Sequence, residues 1–179
     1  MKKAVFLDRD GVLNQTIWRF GKPRAPYTLD EFTLLPGVKE ATELLKQMDF
    51  LLIVVTNQPD VARGWVSREA VDAVNQKLLE LIRIDSLKAC FHTEKDDCLC
   101  RKPRPGMLKE AIREWGINPA LSFMIGDRSS DVEAGHSAGC RTILIGTSDS
   151  SFSVIPEYEC GSLLEAAKFI GKLPDQQTN

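Results

Sequence analysis

Ala4-Val5-Phe6-Leu7-Asp8-Arg9-Asp10-Gly11 joins four consecutive apolar residues to two carboxylates spaced one residue apart. An apolar run without polar alternation is how a strand buried on both faces reads, and such strands belong to parallel sheets covered by helices. Asp8 and Asp10 then fall where the strand ends and a loop begins. That placement suits Mg²⁺, which is held by one or two carboxylates together with substrate phosphate oxygens. Asp-x-Asp-Gly alone also describes an ordinary turn after a strand, so the decision rests with the rest of the chain.

Further apolar runs lie at 51–55, 89–91, 122–125 and 142–145, and helical patterns at 36–48, 67–81, 105–115, 130–138 and 162–170. Ser67 followed by Glu69 opens the second helix, while Gly116 and Gly139 close the third and fourth. Strand and helix alternating at this spacing predict a three-layer α/β/α sandwich with a Rossmann-like, mainly parallel sheet. Two segments stand outside the alternation. Residues 15–35, with Trp18, Arg19, Phe20, Lys22, Pro23, Arg24 and Pro26, read as irregular and are long enough for a functional loop. Residues 92–104 are the other. The whole chain, 1–179, is expected to be one domain with a frayed tail at 174–179.

The composition, 43% hydrophobic and 27% charged, is that of an ordinary soluble globular protein. A net charge of -2 and a pI near 5.8 speak against a nucleic-acid binder, which carries a basic face. No run approaches the roughly 18 apolar residues of a membrane span. Asp8 cuts the first run short of a signal-peptide core, so a cytoplasmic, monomeric protein without membrane or nucleic-acid partners is expected. Five cysteines, an odd number, argue against a disulfide framework.

Ligands of open parallel sheets bind outside the carboxyl ends of the strands. There the chain places Asp8 and Asp10, then Thr56 and Asn57, then Arg101 and Lys102, then Asp127 and Asp131. Phosphoryl transfer needs such a mixture of nucleophile, metal ligands, hydrogen-bond donors and cations. Singly, each has a plainer reading: a turn for Thr56-Asn57, helix N-terminal charges for Asp127 and Asp131, surface cations for Arg101 and Lys102.

In the order D-R-D-G, V-V-T-N, R-K-P and G-D-x-x-x-D, the chain resembles the haloacid dehalogenase superfamily of aspartate-nucleophile phosphatases over about 4–145. The resemblance implies that Asp8 is the nucleophile and Asp10 the proton donor and later the base. It implies Mg²⁺ held by Asp8, the Asp10 backbone carbonyl and Asp127, with Thr56, Asn57, Arg101 and Lys102 on the phosphoryl group. Asp131 would orient the metal surroundings or Lys102.

Cys90-x-His92 and Cys98-x-Cys100 offer three thiolates and an imidazole within a hydrophilic loop, the ligand set of a closed tetrahedral Zn²⁺ site. The plainer reading makes Cys90 a small strand-end hydrophobe. Leading into Arg101-Lys102-Pro103, this loop resembles the branch containing the D-glycero-D-manno-heptose 1,7-bisphosphate phosphatases and the histidinol-phosphate phosphatases. The resemblance implies a Mg²⁺-dependent phosphatase acting on a phosphorylated sugar, foremost the C7 phosphate of that heptose. Histidinol phosphate is the alternative substrate, and an inactive zinc-stabilised binding module the alternative of another class. The chain departs from the pattern at Pro59-Asp60-Val61-Ala62-Arg63-Gly64, where many relatives carry Ser-Gly-Ile-Ala-Arg-Gly, at Arg128 in place of Lys, and in its longer loop 15–35. No large insertion follows the first two motifs, so no separate cap domain is expected. Cys140 and Cys160 fall outside every pattern.

Overall fold

The computed structural model describes residues 2–150 and 152–174. In chain order it contains β1 (Lys3–Leu7), the short β2 (Ile17–Arg19) and β3 (Lys22–Arg24), α1 (Val38–Gln47), β4 (Phe50–Asn57), α2 (Arg68–Leu81) and β5 (Ser86–Cys90). There follow α3 (Gly106–Trp115), β6 (Phe123–Gly126), α4 (Ser129–Ser137), β7 (Arg141–Ile145), β8 (Tyr158–Cys160) and α5 (Leu163–Lys172). Six strands make one sheet in the order β5-β4-β1-β6-β7-β8, every neighbouring pair parallel.

The apolar runs fill this sheet because both of its faces are covered. Side chains alternate across a strand, so Val5 and Leu7 of β1 join Leu52 and Val54 of β4 in a core shared with Val38, Ala41 and Leu45 of α1 and Ala166, Ala167 and Ile170 of α5. Ala4 and Phe6 face the other way, with Ile53, Val55 and Met124, onto Met107, Leu108 and Ala111 of α3 and Ala134 of α4. The expected three-layer α/β/α sandwich is therefore present, and among the described residues no cap domain stands between its elements.

Three details differ from the sequence reading. The loop 15–35 contains a hairpin, β2 with β3, in which Arg19 pairs with Lys22 across Phe20 and Gly21. Both turn residues have positive φ, 50° and 70°, the backbone of a tight two-residue turn. Phe at the first of these positions and Pro23 inside the second strand hide it from pattern reading. Strand β5 begins at Ser86 and ends at Cys90 rather than covering 89–91. As an edge strand it tolerates Lys88, whose ammonium meets Glu110 and Glu114 of α3 at 3.0 and 2.8 Å. Strand β8 has only three residues, too short to register as a pattern. Of the tail expected to fray, 175–179 lies outside the described residues. Among the described residues no helix is long and apolar enough to cross a membrane.

From β1 the chain moves to β4 and β5 on one side, then returns to place β6, β7 and β8 on the other. The reversal leaves a crevice between the carboxyl ends of β1 and β6, where such sheets bind ligands. Leu52 is fully buried in the central sheet. Leu52→Ala is expected to cost about 2–5 kcal/mol in urea denaturation. Ile155→Ala, at a position 71% exposed, should stay within about 0.5 kcal/mol.

Candidate active site

The crevice is built from strand ends. Asp8 follows β1 directly, its N–H still bonded to the Ile125 carbonyl of β6 at 2.9 Å. Asp127 follows β6, and Asp131 lies in the first turn of α4. One carboxylate oxygen from each of the three falls within a 4.8 Å group. The approach is close enough to demand glycine on both sides. A Cβ on Gly11, where φ is +90°, would stand 2.3 Å from Asp127 Oδ2, and one on Gly126 2.1 Å from Asp131 Cβ.

Lys102 reaches into this cluster from the loop after β5. Its ammonium, on a side chain only 2% exposed, donates to Asp8 Oδ1 at 2.8 Å and to the Val55 carbonyl at 2.7 Å, and lies 2.6 Å from Asp131 Oδ1. Burial opposes the charge on Lys102, but Asp131 and Asp8 outweigh it and hold the ammonium firmly protonated. Asn57, at the end of β4, clamps the same residue by its backbone: Asn57 Nδ2 donates to the Lys102 carbonyl at 3.0 Å and the Lys102 N–H donates to Asn57 Oδ1 at 3.1 Å.

Three carboxylates against one ammonium leave negative charge in excess. Burial above all, with Lys102 pulling it down and Asp131 and Asp10 pushing up, brings Asp8 to about 6. Asp127 rises to about 7 through burial and then the Asp8 and Asp131 charges. Asp127 Oδ1 is buried without a hydrogen-bond partner, its nearest cation being Arg128 Nε at 3.6 Å. An all-oxygen cluster with surplus negative charge and an orphaned oxygen has the chemistry that a divalent cation satisfies.

Asp10 stands apart from this trio in its own cradle. Its oxygens accept from the Arg9 guanidinium at 3.0–3.2 Å, from Asn14 Nδ2 at 3.0 Å and from Gln58 Nε2 at 2.6 Å. Gln58 Nε2 also donates to the hydroxyl of Thr56, which is fully buried, at 2.9 Å. Thus Thr56 and Asn57, expected after the strand, are the last two residues of β4: Thr56 reaches Asp10 only through Gln58, and Asn57, which lines the cleft, bonds the Lys102 backbone. Sequence reading did not single out Arg9, Asn14 or Gln58 as supports of Asp10. The local signal was their spacing, one and four residues from Asp10 and directly after Thr56-Asn57.

The loop after β5 gathers Cys90, His92, Cys98 and Cys100 so that one ligand atom of each lies within a 4.8 Å group. Cys100 Sγ is 3.1 Å from Cys90 Sγ, 3.4 Å from Cys98 Sγ and 3.3 Å from His92 Nδ1; Cys90 Sγ is 3.7 Å from Cys98 Sγ and 3.6 Å from His92 Nδ1. Thiolates bound at about 2.3 Å to a tetrahedral ion are separated by about 3.8 Å; the Cys90–Cys98 pair stands at that spacing, and the two Cys100 pairs are drawn closer. Burial and the neighbouring Cys100 push the Cys90 thiol up, whereas Cys98 is held below the ordinary thiol range, burial being outweighed by hydrogen bonds from the Arg101 backbone and from Cys100 and Cys90. The donor set and its geometry therefore fit Zn²⁺.

A cleft of about 240 Å³ opens above Asp8, Asp10, Lys102 and Asp131. Arg101, predicted beside the phosphoryl group, stands at its rim, where it pairs with Glu94 and donates to the His92 carbonyl at 3.3 Å. Lys22, Arg24, Arg63 and Arg128 also line the cleft and make its mouth cationic.

Comparison with known proteins agrees with this architecture. A family model described as HAD-hydrolase-like matches residues 99–159. A D-glycero-beta-D-manno-heptose-1,7-bisphosphate 7-phosphatase of Pasteurella multocida is 40% identical over 159 residues, covering 82% of this chain and 83% of its own. A D-glycero-D-manno-heptose-1,7-bisphosphate 7-phosphatase of Chlorobaculum tepidum is 36% identical over 174 residues, covering 88% and 85%. The crystal structure of a D,D-heptose 1,7-bisphosphate phosphatase from B. bronchiseptica, complexed with magnesium and phosphate, superposes with a TM-score of 0.79 at 30% identity over 94% of this chain and 97% of that one. With its strand-end carboxylates, buried lysine and extended similarity, the chain belongs to the haloacid dehalogenase superfamily, in the family of the heptose-bisphosphate phosphatases.

Proposed function

We propose that the chain is a Mg²⁺-dependent phosphatase that cleaves a sugar phosphate through an aspartyl-phosphate, and that its substrate is D-glycero-D-manno-heptose 1,7-bisphosphate, attacked at the C7 phosphate. The observation that carries this is the Asp8 carboxylate held between Lys102 and the metal-fitting pair Asp127 and Asp131. The names of the relatives support the substrate.

Asp8, the Asp10 carbonyl and Asp127 would hold Mg²⁺, with Asp131 beside them. When bound, the ion neutralises charge on the phosphoryl oxygens and on the surplus carboxylates. Asp8 then attacks phosphorus, forming a P–O bond while the ester P–O bond breaks and the sugar oxygen departs with a proton from Asp10. Asp10 next takes a proton from water, whose oxygen displaces Asp8 from phosphorus and releases inorganic phosphate. Both Asp10 oxygens now accept from Arg9, Asn14 and Gln58, so proton delivery calls for the side chain to turn from that cradle towards the cleft. Lys102 balances charge on Asp8 and on the phosphoryl oxygens, while Asn57 fixes the Lys102 backbone and Thr56 orders Gln58. Asp131 keeps Lys102 charged and aimed.

Zn²⁺ held by Cys90, His92, Cys98 and Cys100 would rigidify the segment that delivers Arg101 and Lys102. The same reading takes the whole chain as one domain, acting as a cytoplasmic monomer on a small phosphorylated sugar.

Asp8→Asn is expected to abolish turnover with the thermal transition kept; retained turnover would exclude the covalent route. Assayed with Mg²⁺ on both anomers of the heptose bisphosphate and on histidinol phosphate, the protein should prefer a heptose substrate by kcat/KM. A tenfold or larger preference for histidinol phosphate would overturn the substrate assignment. Elemental analysis should find about one zinc per chain, the stoichiometry of a closed four-ligand site, and Cys100→Ser should lower it. Mg²⁺ competes with protons for Asp8 and Asp127, so calorimetric affinity should weaken, with protons released on binding, as the pH falls through about 7 and about 6.

A further inference from the structure

Asp60, in the loop after β4, is 5% exposed, and neither the strand-end chemistry nor the zinc cluster uses it. Its Oδ1 accepts from Arg24 Nη1 at 2.9 Å and from Arg63 Nη1 at 2.8 Å. Its Oδ2 accepts from the Tyr27 hydroxyl at 2.7 Å and from Arg24 Nη1 at 3.2 Å. Arg24 and Tyr27 belong to the hairpin segment, which pairs only with itself and adds no strand to the main sheet. Among the described residues, every hydrogen bond joining residues 16–28 to the chain beyond residue 35 ends on Asp60. An aromatic contact completes the attachment: the Arg24 guanidinium lies 4.5 Å from the Trp65 ring centroid, and the Phe20 and Trp65 rings are 5.3 Å apart.

The hairpin matters to the cleft because Lys22, Pro23, Arg24 and Ala25 line it. The rim cations are not equivalent. Asp60 claims Arg24 and Arg63, and Glu94 claims Arg63 and Arg101. Exposed Lys22 has no carboxylate partner among the described residues, so it is the hairpin cation open to an incoming anion. We infer that Asp60 is a positioning residue that latches the β2–β3 hairpin against the cleft, and that the latched hairpin presents Lys22 to the second anionic group of a doubly phosphorylated substrate.

Physical chemistry supports a latch at this point. Burial works to raise the Asp60 carboxyl, yet hydrogen bonds from Tyr27, Arg63 and Arg24 hold it below the usual carboxylate range. A carboxylate so enclosed loses far more when its partners go than a surface ion pair does.

The substrate half of this inference rests on the heptose-bisphosphate reading; the latch itself does not. The test measures wild type, Asp60→Asn and Lys22→Ala by hydrogen exchange and by kinetics on heptose 1,7-bisphosphate, heptose 7-phosphate and p-nitrophenyl phosphate. In Asp60→Asn, exchange should rise in residues 17–27 and stay unchanged in the central strands. Its KM for the bisphosphate should rise about tenfold, with kcat and p-nitrophenyl phosphate turnover changing less than about twofold. Lys22→Ala should raise KM for the bisphosphate more than for the 7-phosphate. Unchanged hairpin exchange in Asp60→Asn, parallel loss on all three substrates, or an equal effect of Lys22→Ala on both heptose esters overturns the inference. If wild type is inert towards both heptose esters, the substrate assignment fails, and hairpin exchange with p-nitrophenyl phosphate turnover decides the latch.

Discussion

The Lys102 ammonium, almost sealed from solvent between Asp8, Asp131 and the Val55 carbonyl, is the contact on which the site depends. A charge this deeply buried is tolerable only with opposite charge and hydrogen bonds around it. Its partners come from the residue after β1, from β4 and from α4, so the ammonium ties three separate stretches of chain at one point. The parallel sheet makes this possible by ending those strands on the same edge. Glycine at 11 and 126 lets the carboxylates approach closely.

Around that point charge is arranged in two regimes. At the floor, carboxylates outnumber the cation, and the imbalance raises Asp8 and Asp127. At the rim, arginines predominate but are paired with Asp60 and Glu94. An anionic ligand would therefore meet arginines already positioned by carboxylates, with Lys22 unpaired among the described residues, and then a floor whose negative excess matches a divalent ion. With no cap domain among the described residues, short segments form the walls: the hairpin, the loop after β4, the Cys/His loop and the start of α4.

Much of this was legible in the sequence because local patterns encode it. Fully apolar strands marked the sheet, and Asp8, Asp10, Lys102, Asp127 and Asp131 could be placed at strand ends by counting. The four Cys and His side chains lie close in the chain, and the fold closes them into one cluster. What escaped depends on distant partners or unusual backbone. The hairpin turns on Phe20 with positive φ, against the normal preference for Asn, Asp or Gly. The part played by Asn57 is visible only once Lys102, far along the chain, is beside it. Asp60 looked like a substitution in a motif until its partners Arg24 and Tyr27 came into view.

Arg9 is fully buried, and its guanidinium joins Asp10 to the Asn75 side chain of α2, 2.6 Å from Nη1. Asp8 is instead anchored in the sheet and on Lys102. The proposed nucleophile and the proposed proton carrier thus have separate mechanical foundations, one in the strands and one reaching out to a covering helix. A displacement of α2 would therefore bear on Asp10 through Arg9, whereas Asp8 would stay tied to the sheet and to Lys102.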